Sequence, residues 1–388
     1  MGVRTVSRKH IWHAGLLAAG LISSVWMGGL VSAASFPSSS FAVTALPAFY
    51  GFTKTVTLTN NSSNAAFNVK AQVVLLPPRT AYAHVSLTGY SRPAVATYYD
   101  RSGNLVGTYE WSQIAPHHSV TVTLHYQATS SDISYHLPAQ YPPYSTASAI
   151  VQRYTNPSLE ARQVETDAPA IEALDQSLVG GLTNPYQRAS VLFQWVAQHI
   201  RYNYSDKASG SALATLRARR GVCSDIAELY VSMLRTDQIP ARLINGYVTN
   251  NGRGHGGLHQ WVEFYLPSVG WVVADPTWRA GYFAELQDDW HVPLYVGLRP
   301  AISVQWQAGG GDTRLGIAYH YHFVTEQSPF VTRHVNLPVL SVDTAIVRHR
   351  TAGHQSSSGG LAQVWHRTEI WLGQYWLRAR ILWRDLGI

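Results

Sequence analysis

The hydrophobic pattern changes its period partway along the chain, and this change constrains the fold more than any other feature. Between about residues 35 and 145, apolar and polar residues alternate in short runs such as FTKTVTLTN and SVTVTLHY. A period of two is typical of strands that bury one face. From residue 184 onward, apolar residues recur at helical spacing, as in Leu192, Phe193 and Val196. Strands followed by helices and then by further strands predict the α+β class.

The same pattern divides the chain into segments. The strand-rich segment, residues 35–150, predicts a β-sandwich that resembles an immunoglobulin domain. Residues 151–325 are predicted to form a second domain, in which a helix runs from Asn156 to Leu178. A β-rich extension is predicted for residues 326–350. Residues 351–388 predict a linker and an amphipathic helix.

The amino terminus has the pattern of an export signal. Arg4, Arg8 and Lys9 precede an uncharged run that extends from Ile11 to Ala34 and ends in small residues. This run is also long enough to serve as an uncleaved membrane anchor. Both interpretations of residues 1–34 predict that the rest of the protein is secreted or otherwise extracytoplasmic.

Charge and cysteine content narrow the function further. Charged residues make up only 13% of the chain, and removal of the three leader cations lowers the formal net charge from +7 to +4. The sequence contains no nucleic-acid signature, so we predict no nucleic-acid partner.

Cys223 is the only cysteine. A single thiol cannot form a disulfide within the chain, so packing must supply the stability.

Cys223 lies in the stretch RRGVCSDIAELYVSMLR, at the start of a predicted amphipathic helix. Backbone amides in the first turn of a helix lack intrahelical partners and create a positive potential, which favours the reactive thiolate. The same amides could stabilise the oxyanion that forms when a thiolate attacks an amide carbonyl. The position therefore predicts a nucleophile, and an inert buried cysteine is the alternative.

Candidates for the proton acceptor and its partner follow on predicted strands. His259 begins HQWVEFYLP and Asp275 ends the run GWVVADP, and a short hairpin between these strands would make the two residues neighbours. An imidazole oriented by a carboxylate is the usual proton acceptor for a thiol nucleophile. His255, in a glycine-rich loop, competes for this role. A structural histidine and a turn-forming aspartate are the alternatives.

These motifs resemble the core of the transglutaminase-like superfamily. The resemblance spans about residues 184–278 and rests on GVCSDIAELYVSMLRTDQIPARLINGYV followed by HQWVEFYLPSVGWVVADPTW. It implies a bacterial secreted member with a papain-like core, with Cys223 as nucleophile, His259 as general base and Asp275 as orienting carboxylate. Gln260 departs from the small residue common at its position. No residue matches the tryptophan that stabilises the intermediate in animal enzymes, so the second oxyanion donor is unassigned.

A Cys-His-Asp site of this kind forms a thioester, which water or an amine then resolves. Water would make the protein a protease or amidase, and an amine would make it a protein crosslinking enzyme. The expected substrate is an extracellular polypeptide or a cell-wall peptide. We predict no cofactor and no metal, because the sequence has no clustered acidic loop for calcium and no paired cysteines for zinc. A non-catalytic binding or assembly module with the same fold is the alternative.

The carboxyl-terminal segment adds one further expectation. From Leu361 to Ile388, apolar residues that include Trp365, Trp376 and Trp383 fall on one helical face. Such a helix could contact a membrane surface, with its tryptophans at the level of the lipid headgroups. Packing of this helix on the protein's own core is the alternative.

Overall fold

The structure is a computed structural model, and it describes residues 41–44, 47–206, 208–249, 256–279, 281–298, 301–309 and 313–326. The predicted leader and the predicted carboxyl-terminal helix lie outside these residues, as does all but the first residue of the predicted extension. Within the described ranges, no helix has both the length and the apolar character needed to span a membrane.

The first third of the described chain consists of strands. They are β1 (Ala42–Thr44), β2 (Ala48–Asn60), β3 (Ala66–Leu76), β4 (Ala83–Tyr90), β5 (Ala96–Tyr99), β6 (Leu105–Ile114), β7 (Ser119–Ser130) and β8 (Ile133–Tyr135).

Helices and strands alternate in the remainder. They are α1 (Ala149–Tyr154), α2 (Pro169–Val179), α3 (Pro185–His199), β9 (Arg201–Tyr202), α4 (Ala212–Ala218), β10 (Arg220–Gly221), α5 (Cys223–Thr236), β11 (Ala241–Val248), β12 (Gly257–Leu266), β13 (Gly270–Ala274), β14 (Glu285–Leu286), β15 (His291–Val296), β16 (Ile302–Ala308) and β17 (Leu315–Glu326).

Two four-stranded antiparallel sheets, with strand orders β16-β3-β6-β5 and β17-β2-β7-β4, share one hydrophobic cluster. On β2, the buried side chains of Tyr50, Phe52, Val56 and Leu58 alternate with partly exposed threonines. This is the period of two seen in the sequence, and it gives each strand one face for the shared core. The likeness to an immunoglobulin domain stays a prediction.

The outer strand of each sheet comes from far along the chain. β16 pairs with β3, and β17 pairs with β2 over its whole length, from Leu315 opposite Asn60 to Glu326 opposite Phe49. The predicted catalytic segment, residues 151–325, therefore ends in two strands that belong to these sheets. The physical reason is that β2 and β3 would otherwise be edge strands with unpaired backbone groups.

A third four-stranded antiparallel sheet, with strand order β13-β12-β11-β15, packs against α5. The sequence predicts α5 to be amphipathic, but the helix is buried on all sides from Asp225 to Arg235. Two of its polar side chains are paired with neighbouring segments, since Ser232 Oγ donates to the Glu165 carbonyl and Arg235 binds Glu160. Helices α2, α3 and α4 cover the remaining surface of α5.

The predicted helix from Asn156 to Leu178 is only partly correct. The Asn156 side chain accepts a hydrogen bond from the Ser158 N–H in a local turn, and the helix α2 begins only at Pro169. A residue that precedes proline is disfavoured in the helical region, and Ala168 is extended here (ψ 119°). Proline at the first position then starts the helix.

Candidate active site

Cys223 is the first residue of α5, and two features fix the chain just before it. A Cβ at Gly221 would lie 2.6 Å from the Cβ of Asp225, so a larger residue does not fit without movement. The buried Asp225 carboxylate accepts hydrogen bonds from the N–H groups of Val222 (3.0 Å) and Ser209 (2.7 Å). This carboxylate therefore ties the start of α5 to the preceding loop.

The N-cap side chain of α5 makes no capping hydrogen bond. Val222 stands at the N-cap position, and its side chain has no oxygen that could accept a hydrogen bond. The Cys223 side chain is partly exposed at this point. First-turn amides without side-chain partners are suited to hold an anion, so an oxyanion formed at the sulfur has donors nearby.

His259 and Asp275 are in contact. The register of β12 and β13 pairs Val262 with Ala274, which leaves Asp275 just beyond the ladder. His259 Nε2 lies 2.7 Å from Asp275 Oδ2, and Asp275 Oδ1 accepts the Thr277 N–H at 2.9 Å. The hairpin therefore brings the two predicted residues together.

The thiol completes this series of contacts. Cys223 interacts with His259, and both this interaction and the backbone N–H of Gln260 act to lower the pKa of the thiol. Because Asp275 occupies Nε2, the ring nitrogen that faces the thiol is Nδ1. The Gln260 side chain is buried and donates to Asn245 Oδ1 at 2.8 Å. The Gln260 side chain thus hydrogen-bonds within the sheet, whereas its backbone amide stabilises the thiolate.

The electrostatics favour an ion pair. Burial lowers the pKa of His259, but the charge and hydrogen bond of Asp275, with Cys223, outweigh burial and raise this pKa to about 10. Burial raises the pKa of the Cys223 thiol, and the hydrogen bond and charge of His259 overcome this effect and lower it. Burial alone would raise the pKa of Asp275. The charges and hydrogen bonds of the two neighbouring histidines outweigh burial and hold this pKa well below its usual range. A thiolate beside an imidazolium is therefore the favoured state.

Sequence reasoning missed His291 and Asp288. His291, on β15, places Nε2 3.3 Å from Asp275 Oδ2 and Nδ1 2.9 Å from Asp288 Oδ1. The sequence pattern did not indicate the sheet order, in which β15 pairs with β11 and not with the β12–β13 hairpin. The competing candidate, His255, lies outside the described residues.

Aromatic rings surround both histidines. The ring centroids of Trp261 and Trp278 lie 6.0 and 5.8 Å from that of His259. Gly246 pairs with His259 across β11 and β12, and a side chain there would overlap the Trp261 ring. The tryptophans therefore wall the imidazoles from water on these sides.

The site contains a possible metal-ligand set. Ring nitrogens and a carboxylate oxygen of His259, Asp275 and His291 all lie within 4.8 Å of one another. Both imidazoles direct Nε2 at the same oxygen of Asp275, at 2.7 and 3.3 Å. A metal ion would have to displace both ring protons from these hydrogen bonds. We therefore interpret the three side chains as a hydrogen-bonded network.

Known proteins share parts of this chain. Residues 172–276 match the family model described as the transglutaminase-like superfamily. An uncharacterized protein of Haemophilus influenzae is 28% identical over 136 residues, which cover 29% of this chain and 37% of that protein. A protein-glutamine gamma-glutamyltransferase of Pseudomonas aeruginosa is 33% identical over 69 residues, which cover 16% of this chain and 10% of that protein. The chain thus spans well under half the length of either relative.

The fold is also similar to a solved structure. A protein described as a candidate cysteine protease from Cytophaga hutchinsonii has a TM-score of 0.53 and 17% identity, covering 74% of this chain and 94% of that chain. At this identity the likeness concerns the fold alone. The predicted resemblance is confirmed to this extent: residues 172–276 of this chain match the transglutaminase-like superfamily.

Proposed function

We propose that this protein is an extracytoplasmic thiol acyl-transfer enzyme that acts on amide bonds of polypeptides or of peptidoglycan peptides. The observation that carries the proposal is the series of contacts from Cys223 through His259 to Asp275. The match of residues 172–276 to the superfamily supports a thiol-dependent acyl-transfer or protease activity in general. The placement of the three side chains supports Cys223 as nucleophile, His259 as general base and Asp275 as orienting carboxylate.

The first half of the reaction forms a thioester. The Cys223 thiolate attacks the carbonyl carbon of an amide, and the carbonyl electron pair moves onto oxygen, where first-turn amides of α5 stabilise the negative charge. The Nδ1 proton of His259 then passes to the leaving nitrogen as the C–N bond breaks. The products are a thioester on Cys223 and a free amine, and His259 is neutral.

The second half resolves the thioester. Neutral His259 accepts a proton through Nδ1 from water or from an incoming amine, which attacks the thioester carbon. The thiolate leaves and is again paired with an imidazolium. Attack by water gives a carboxylate and hence proteolysis or amidase activity, whereas attack by an amine gives a new amide and hence crosslinking.

Location and partners belong to the same proposal. The leader pattern of residues 1–34 supports export or anchoring outside the cytoplasm. The tryptophan-rich face of residues 361–388 supports contact with a membrane surface. An enzyme so placed would meet extracellular polypeptides and cell-wall peptides.

Substitution of the nucleophile tests the proposal. Wild type and Cys223→Ala are incubated with glutamine-containing peptides and with peptidoglycan stem peptides, with and without hydroxylamine as acceptor, and products are read by mass spectrometry. We expect a hydrolysed or hydroxylamine-modified product with the wild type only. If Cys223→Ala keeps the wild-type melting temperature and its activity in cells, the protein is instead a binding or assembly module.

A further inference from the structure

His291 lies between two buried carboxylates. Its Nε2 faces Asp275 Oδ2 at 3.3 Å, and its Nδ1 faces Asp288 Oδ1 at 2.9 Å. The three side chains are at most 1% exposed, so water does not take part in these contacts. A neutral imidazole carries one N–H and could donate to only one of the two oxygens. Both contacts are satisfied only when both ring nitrogens of His291 are protonated.

The other hydrogen bonds indicate that both carboxylates are ionised. Asp275 Oδ1 accepts the Thr277 N–H at 2.9 Å. Asp288 Oδ1 accepts the Trp290 N–H at 2.9 Å, and Asp288 Oδ2 accepts the Tyr282 hydroxyl at 2.8 Å. Each carboxylate oxygen thus faces a donor, and neither acid requires a proton of its own to satisfy its contacts. An anion on each side of His291 favours the imidazolium form.

Aromatic rings occupy much of the remaining space around His291. The ring centroids of Trp261 and Trp278 lie 5.0 Å from that of His291, and Tyr282 lies at 6.0 Å. These rings exclude water that would screen the carboxylates. The titratable groups around His291 are Asp275, Asp288, Tyr282 and His259, whose ring centroid lies 5.9 Å from that of His291.

We propose that His291 is a protonated positioning residue, which fixes Asp275 by bridging it to Asp288. Charges then alternate from the Cys223 thiolate through His259, Asp275 and His291 to Asp288. The pKa of His291 is raised in the same sense, because the two carboxylates outweigh the effect of burial. Asp275 is held by both histidines and accepts the hydrogen bond of His259 Nε2. Nδ1 of His259 is then free to exchange a proton with the Cys223 thiol. This catalytic consequence rests on the proposed thiol chemistry, but the charge state of His291 does not.

The charge state is measured directly by NMR on protein labelled with ¹⁵N at the histidine rings. The signals of His291 are identified by their loss in His291→Gln. We expect both ring nitrogens to remain protonated at pH values above the ordinary histidine pKa of about 6.5. Titration of His291 near the ordinary pKa of about 6.5, or a single protonated nitrogen, would overturn the proposal. A bound metal ion would also remove a ring proton, so this outcome counts against the proposal as well.

The positioning role is measured by the pH profile of Cys223 alkylation with iodoacetamide. In His291→Gln and Asp288→Asn we expect the acid limb of the profile to move up by about one pH unit, which is about a tenfold slower reaction near pH 6. His84→Gln, at an exposed position on β4, is the matched control and should keep the wild-type profile.

The two variants also separate a structural defect from a positioning effect. If His291→Gln does not fold, Asp288→Asn decides the question, because it removes the charge that faces His291 Nδ1 and its shifted ring signals identify His291 in the NMR measurement. A wild-type profile in folded His291→Gln or Asp288→Asn would refute the positioning role. An unreactive thiol in the wild-type protein would instead count against the proposed function and would leave the NMR result intact.

Discussion

Asp275→Asn tests whether one carboxylate keeps the nucleophile ionised. Asparagine preserves the size of the side chain but removes the negative charge that faces His259 and His291. Burial alone lowers the pKa of His259, and it is chiefly Asp275 that raises this pKa to about 10. Without the carboxylate the effect of burial dominates. His259 should then be neutral at physiological pH and no longer stabilise a thiolate.

The size of the effect follows from the ionised fraction of Cys223. A thiol without an imidazolium partner returns to a pKa of at least about 8.5, because burial also disfavours the thiolate. At about pH 6.5 only about 1% of such a thiol is ionised, whereas an ion-paired thiol is ionised at this pH. We therefore expect iodoacetamide to alkylate Asp275→Asn about 100-fold more slowly than wild type near pH 6.5. The difference should shrink towards pH 9.

The assay is the second-order alkylation rate of Cys223 across pH, read by mass spectrometry. Asp167→Asn removes an exposed acid and serves as the control, with the wild-type profile expected. Melting temperatures of all three proteins establish that they are folded under the assay conditions. If folded Asp275→Asn reacts within about threefold of wild type near pH 6.5, Asp275 does not control the thiol through His259.

Two further predictions concern stability. Gly221→Ala should lower the free energy of unfolding in urea by about 1–3 kcal/mol, because its new Cβ would overlap Asp225. Gly181→Ala, which meets nothing within 4 Å, should change it little, and equal effects of the two would contradict the steric argument. Burial, with neighbouring acids, raises the pKa of Glu228 to about 8. Between about pH 4.5 and pH 8 the unfolded chain therefore loses a proton that the folded protein keeps, and stability should fall as pH rises. Glu228→Gln should remove this part of the slope in urea titrations across the same range, and an unchanged slope would refute the assignment.

The predicted site residues are those whose local sequence determines their surroundings. Cys223 follows Gly221 and Val222 at a helix start, and this position alone predicts unsatisfied amides around the sulfur. His259 and Asp275 lie on the arms of a hairpin with a short turn, so strand pairing brings them close without knowledge of any other element. Local pattern was sufficient for these three positions. Their catalytic roles stay predictions until the thiol is tested.

Residues that depend on long-range pairing were not predictable in this way. His291 reaches Asp275 only because β15 pairs with the edge of β11 that lies opposite β12. The periodicity of the sequence does not encode this sheet order. The strands β16 and β17 likewise join β3 and β2 across more than half of the chain. Their β-rich sequence predicts strands but does not specify the partner. Pairing at this separation is decided by the complete sheets rather than by local sequence.

The position of β15 also explains how the amino-terminal sheets can influence the site. Ser130 Oγ, on β7, donates to the His291 carbonyl at 2.9 Å, and the Tyr50 hydroxyl donates to the Asp289 carbonyl at 3.1 Å. Asn104 exchanges two hydrogen bonds with the backbone of Val296. The strand that carries His291 is thus held by the site's sheet on one edge and by these side chains along its length. The backbone of β15 determines the position of the His291 ring. Substitutions that weaken the contacts from the amino-terminal sheets would therefore displace this ring and, with it, the carboxylate that orients His259, although they contact no triad residue.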